Sequence, residues 1–101
     1  MSRLALGAVQ FGLNYGLSNT KGKVKESVVT EMLKIAAEND INFIDTAIGY
    51  GDSEYILGKN EIEDFNLISK IPPIDSNSNI YEWTLMQIKS SLLRLNKRSL
   101  Y

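Results

Sequence analysis

The chain has 101 residues, 44% of them hydrophobic, and a formal charge of −1 at neutral pH, which suits one modest core and gives no sign of a second domain. There is no basic excess of the kind a nucleic-acid backbone requires and no apolar run near the roughly 18 residues of a membrane span, and Met1-Ser2-Arg3 runs into apolar sequence with no signal-peptide pattern, so a soluble cytoplasmic protein is expected. The absence of cysteine and histidine removes disulfides, thiolate catalysis, zinc fingers and every Ser/His triad, together with the commonest metal ligand and general base.

Leu4 to Gln10 reads as the first strand, and the Gly/Asn/Lys-rich stretch from Gly12 to Lys25 reads as loop. From Glu26 to Glu38, the residues Val28, Val29, Met32, Leu33, Ile35 and Ala36 form a broad apolar stripe at helical spacing. Asn39-Asp40 offers the left-handed residue that ends this helix. Asn42 to Thr46 is the second strand. Ser53 is placed to cap a short helix from Glu54 to Leu57, with Gly58 as its stop. Phe65 to Lys70 is the third strand, ended by Pro72-Pro73, whose missing amides cannot continue a ladder. Asn79 with Glu82 resembles a capping box opening a helix to about Leu95, in which Leu85, Ile88, Leu92 and Leu95 share a stripe and Trp83 and Met86 are read as packing residues. Ser99-Leu100-Tyr101 has the look of a fourth strand at its start.

Strands alternating with helices specify a parallel sheet with right-handed crossovers. Such a sheet closes either as a small open doubly wound sheet or as part of an eight-stranded barrel. An open sheet complete in this length would finish its last strand and add a covering helix. The pattern therefore favours an α/β fold made of the N-terminal part of a (β/α)8 TIM barrel, about three βα units plus the start of strand four, with residues 1–101 as one unit.

Asp45 closes the apolar run Ile41-Asn42-Phe43-Ile44, Tyr50 follows in the next loop, and Lys70 ends the run Leu67-Ile68-Ser69. On neighbouring parallel strands about 4.8 Å apart, these put an acid, a phenol and an ammonium on one rim. Taken singly they are ordinary: a turn residue, a loop aromatic and a solvated strand end. Together they make a proton donor for a carbonyl oxygen. A phenol titrating near 10 is a weak acid at neutral pH, so an adjacent cation has to favour phenolate, and Asp45 would keep Lys70 charged and in place. Other motifs carry less. Gly16 to Lys23 departs from a phosphate-binding loop in spacing and in having Val24 after the lysine, Gly49-Tyr50-Gly51 lacks the third glycine of a dinucleotide fingerprint, Lys21, Lys23 and Lys25 read as a solvated loop, and Glu61, Glu63 and Asp64 read as solvated surface.

Four segments in order resemble one family. Leu6-Gly7-Ala8-Val9-Gln10-Phe11-Gly12 is similar to the first strand of aldo-keto reductases. Asn42-Phe43-Ile44-Asp45-Thr46-Ala47, with Tyr50-Gly51-Asp52-Ser53-Glu54 and Leu57-Gly58, resembles their first signature. Ile68-Ser69-Lys70 stands where their catalytic lysine ends strand three, and Ser91-Leu92-Leu93-Arg94-Leu95 resembles their Ser-Leu-x-Arg-Leu helix end. The resemblance implies NADPH-dependent reduction of an aldehyde or ketone, with Asp45, Tyr50 and Lys70 catalytic, Gly7, Ala8, Val9 and Asp45 near the NADPH/NADP cofactor, no metal, and a small carbonyl compound as substrate. It implies a fourth catalytic residue, a histidine, just beyond Tyr101, and covers about the first third of a barrel of about 250 residues. The family commonly has threonine at the position of Ala8 and often glycine at those of Asp40 and Asn96. The expectations are therefore a chain inactive alone, poorly stable, and prone to self-associate through exposed sheet edges. The alternative is a non-catalytic module, either a small open-sheet binding protein or a reductase-derived remnant.

Overall fold

The computed structural model describes residues 3–16, 22–74 and 79–101. The expectations for residues 17–21 of the first loop, Lys21 included, and for the helix lead-in at 75–78 lie outside the described residues. The elements are β1 (Leu6–Gly7), α1 (Val9–Gly12), α2 (Glu26–Glu38), β2 (Phe43–Asp45), α3 (Ser53–Gly58), β3 (Asn66–Ile68) and α4 (Ile80–Leu95). All strand pairs are parallel, in the order β1-β2-β3. Leu6 stands opposite Ile44 and Gly7 opposite Asp45, while Phe43, Ile44 and Asp45 face Asn66, Leu67 and Ile68 in turn.

Because side chains alternate across a strand, this register sorts the sheet into two faces. Ile44 and Leu67 are buried against Val29, Leu33 and Ala36 of α2, Ile56 and Leu57 of α3, and Leu95 of α4. Gly7, Phe43, Asp45, Asn66 and Ile68 lie on the other face, where all are exposed or half-buried. Among the described residues the sheet has three strands, and no fourth is formed at Ser99-Leu100-Tyr101, although the chain does return to the edge of β3. The Tyr101 amide donates to the Leu67 carbonyl at 2.8 Å, Leu100 packs against the core, and the Tyr101 ring meets Phe43 edge-on at 4.9 Å.

Further sequence expectations are corrected. The first strand does not continue to Gln10. After Gly7 the chain makes one more ladder bond, Ala8 N to Asp45 O at 2.9 Å, and then coils into α1. That turn carries Phe11 into the core, at 1% exposure, which an extended run would not do. The stripe on α2 is narrower than read, since Val29, Leu33 and Ala36 are buried at positions i, i+4 and i+7 while Val28 and Ile35 on its flanks are exposed. Only the C-terminal part of the α4 stripe is buried, at Leu95 with Ser91. Leu85, Met86 and Ile88 stay exposed, and of the helix only Leu95 belongs to the buried apolar core. Ser53 is not a cap but the first residue of α3, with a different role described below.

Gly58 is likewise not the stop of α3 but its last residue, with Lys59 as the C-cap, while the ends of α2 and α4 are as read. Asp40 (φ 59°) and Asn96 (φ 54°) take the left-handed conformation after α2 and α4. Asn79 Oδ1 accepts from the Glu82 amide at 3.0 Å at the start of α4. Among the described residues no helix is long and apolar enough to cross a membrane.

Candidate active site

The β2–β3 ladder continues past the strands themselves, with Thr46 N donating to Ile68 O at 2.8 Å and Ile48 N to Lys70 O at 3.0 Å. Asp45 and Lys70 therefore leave the sheet side by side. Lys70 Nζ donates to Asp45 Oδ1 at 2.5 Å and to the Thr46 carbonyl at 3.0 Å. The chain then turns back at Ala47, whose carbonyl accepts from Tyr50 N at 3.2 Å. This turn sets the Tyr50 ring 5.2 Å from the Lys70 ammonium, inside cation–π range. The expected acid, phenol and ammonium are together.

Lys70 is held above the ordinary lysine value. The hydrogen bond to Asp45 is the main cause, partial burial opposes it, and the charge of Asp45 and the Tyr50 hydroxyl add to it. The Asp45 and Lys70 side chains remain 45% and 49% exposed. The pair is thus a solvent-reachable rim feature and not a buried ion pair.

The Tyr50 loop depends on two glycines in close approach. Gly51 has φ 55°, and a Cβ on it would come within 2.4 Å of the Gly12 carbonyl oxygen. A Cβ on Gly12 would lie 1.8 Å from the Tyr50 carbonyl oxygen. The coil of α1 and the Tyr50 loop pack backbone to backbone, which is what Gly12 contributes at the end of the first motif.

Two residues whose structural role sequence reasoning missed sit at the start of α3. Ser53 is fully buried. Its hydroxyl donates to the Ala8 carbonyl at 2.8 Å and bonds Thr46 Oγ1 at 2.9 Å, while its amide donates to Tyr50 O at 3.0 Å. Glu54, 2% exposed, accepts at Oε2 from Ser69 Oγ at 3.0 Å and from Ser91 Oγ. Its Oε1 accepts from Arg94 Nε at 2.9 Å, and Arg94 Nη2 lies 2.9 Å from the same oxygen as an ion pair without hydrogen-bond alignment. Gly58 lets the helices approach this closely, since a Cβ there would lie 2.0 Å from the Arg94 carbonyl oxygen. A signal was available: Glu54 precedes Leu57 and Gly58 by three and four positions, and Ser91 precedes Arg94 and Leu95 likewise. Helical spacing thus puts both polar residues on inward faces.

The cofactor candidates are placed differently from one another. Gly7 is exposed, in register with Asp45, and a Cβ on it would meet nothing within 4 Å. The space beside the carboxylate is therefore open. Ala8 is fully buried, its amide given to Asp45 and its carbonyl to Ser53. Val9 is half-buried at the start of α1. No cluster of three metal-ligating side chains occurs among the described residues. Lys23, read as a solvated loop residue, pairs with Asp52 at 3.4 Å.

The family model described as the aldo/keto reductase family matches residues 3–100. Two solved structures from Pseudomonas aeruginosa that carry the name aldo-keto reductase are similar to this chain. One has 29% identity and a TM-score of 0.79 over 98% of this chain and 40% of its own. The other has 30% identity and a TM-score of 0.76 over 98% of this chain and 39% of its own. The thermostable aldo-keto reductase Tm1743, in complex with the inhibitor epalrestat, shares the fold at 24% identity and a TM-score of 0.69, over 99% of this chain and 36% of its own. None of the curated proteins matches the sequence. The chain thus spans about two-fifths of the length of the solved structures it matches, and its α/β architecture is that of part of their barrel.

Proposed function

This chain belongs to the aldo/keto reductase family, and from that premise we propose that its rim trio is the proton-donating half of a carbonyl reductase site. Reduction of an aldehyde or ketone needs a hydride on carbon and a proton on oxygen. A reduced nicotinamide, NADPH by the family resemblance, supplies the hydride when bound. Gly7, with open space above it, and Asp45 beside it would face the nicotinamide end, with Ala8 and Val9 next in the chain.

The remaining steps belong to the chain's own side chains. Tyr50 Oη donates its proton to the carbonyl oxygen, and the Lys70 ammonium stabilises the phenolate left behind. Asp45 keeps Lys70 charged and, with the Thr46 carbonyl, limits the positions of a flexible four-carbon stem. The observation that carries this reading is the Lys70 ammonium bonded to Asp45 at 2.5 Å while facing the Tyr50 ring at 5.2 Å.

The chain contains no histidine, so an imidazole to orient the carbonyl would have to come from outside these residues. We accordingly expect the isolated chain to be inactive. The test is a chimera that joins residues 1–101 to the remaining strands of a Pseudomonas aeruginosa relative. NADPH-dependent reduction of a test aldehyde by the chimera, absent from the isolated chain, supports the reading. A folded chimera that binds NADPH and reduces no aldehyde or ketone in a broad panel refutes it.

A further inference from the structure

Lys70 could sit on a mobile strand end, since its side chain is half exposed and β3 proper stops at Ile68. The preceding residue, Ser69, is instead tied down. Its hydroxyl donates to Glu54 Oε2 at 3.0 Å, and Glu54 is anchored to α4 by Ser91 and by Arg94 at 2.9 Å. On the same turn of α3, Ser53 bonds the Ala8 carbonyl and the Thr46 hydroxyl, and its amide bonds the Tyr50 carbonyl. Two consecutive buried polar residues therefore hold the end of every strand and the loop that carries Tyr50.

We propose that Glu54 is a positioning residue for Lys70: through Ser69 it fixes the end of β3, so that the ammonium stays on Asp45 and beside Tyr50. That Lys70 serves catalysis rests on the reductase reading; that Glu54 holds it in place does not. Glu54 touches none of the reacting groups. Its carboxylate accepts three hydrogen bonds, one from Ser69 just past β3 and two from α4, and bonds of this charged kind are short and directional. A helix packed on apolar side chains alone would leave the strand end free to shift.

The test is competitive amine labelling of the folded 101-residue chain at mildly alkaline pH with acetic anhydride, read residue by residue by mass spectrometry. Lys97 is the internal control. Its ammonium is held by the carbonyls of Ile62, Glu63 and Phe65 at 3.2, 3.1 and 2.8 Å, so general loosening exposes Lys97 together with Lys70. Ser69→Ala, a mild change, is expected to raise the labelling rate of Lys70 about fivefold, as loss of one net hydrogen bond implies, with Lys97 unchanged. Ser69→Thr, which keeps the hydroxyl, should return Lys70 to its original rate, and Glu54→Gln should reproduce the Ser69→Ala pattern. Lys70 unchanged in Ser69→Ala, or Lys70 and Lys97 accelerating together, would overturn the proposal. Labelling needs no turnover, so a failed reductase assay and a failed positioning assay are separate results.

Discussion

Helices α2 and α3 are held on the same face of the sheet by different means. The 13 residues of α2 bury Val29, Leu33 and Ala36 and no polar side chain, and its polar contacts, Glu26 with Lys59 and Thr30 with Asn60, are exposed. The six residues of α3 bury Ile56 and Leu57 but also Ser53 and Glu54, whose bonds reach β1, the end of β2, the end of β3 and α4. Apolar burial is strong but non-directional, so it holds a helix on a sheet without fixing its position closely. Hydrogen bonds weaken steeply with misalignment, so they do fix position. The helix beside the rim trio is the one located by directional bonds.

Glu54→Ala should have the largest effect on how α3 is held. It leaves the Arg94 charge without its carboxylate and the Ser69 and Ser91 hydroxyls without their acceptor, so urea denaturation should show a loss of about 4 kcal/mol. Lys70 and Tyr50 should be displaced with it. Leu33→Ala on α2 should cost about 3 kcal/mol through the cavity it leaves. In that variant, however, Lys70 labelling relative to Lys97 should stay as in the parent, and a change there would erase the distinction between the two helices. Gly58→Ala forces a Cβ against the Arg94 carbonyl oxygen, 2.0 Å away. It should cost about 2 kcal/mol by pushing α3 from α4, with accelerated labelling of Lys70.

The smallest effect concerns the rim pair itself. Because Lys70 titrates above the ordinary lysine value, its pairing with Asp45 stabilises the fold fully below about pH 10.4. That contribution is lost as pH rises through the folded value. Both side chains are about half exposed, so Asp45→Asn should cost less than about 1 kcal/mol at neutral pH. It should also flatten the fall in stability above about pH 10.4, which denaturation curves across that range would detect.

The trio was legible in the sequence because Asp45 and Lys70 each end an apolar run, and consecutive parallel strands place such ends together. The left-handed stops at Asp40 and Asn96 were legible for a similarly local reason: a short polar side chain follows a periodic helix. The coil at Val9–Gly12 was not, because Leu4 to Gln10 looks extended until the burial of Phe11 is known. Ser53 was misread because serine before an apolar run usually caps a helix, and here its hydroxyl is taken by Ala8 and Thr46. The partners of Glu54 lie 15, 37 and 40 residues away. No local pattern reports pairings at that distance. Leu85 and Ile88 follow a helical stripe whose position on α4 says nothing about whether another element covers it.

The proposed proton transfer from Tyr50 beside the Lys70–Asp45 pair is measured directly by the rate of NADPH-dependent aldehyde reduction by the chimera and by its Tyr50→Phe variant. The hydroxyl alone is removed, so NADPH binding should be retained while kcat falls at least about 100-fold. A Tyr50→Phe chimera that binds NADPH and reduces the aldehyde at the parent rate would contradict the account.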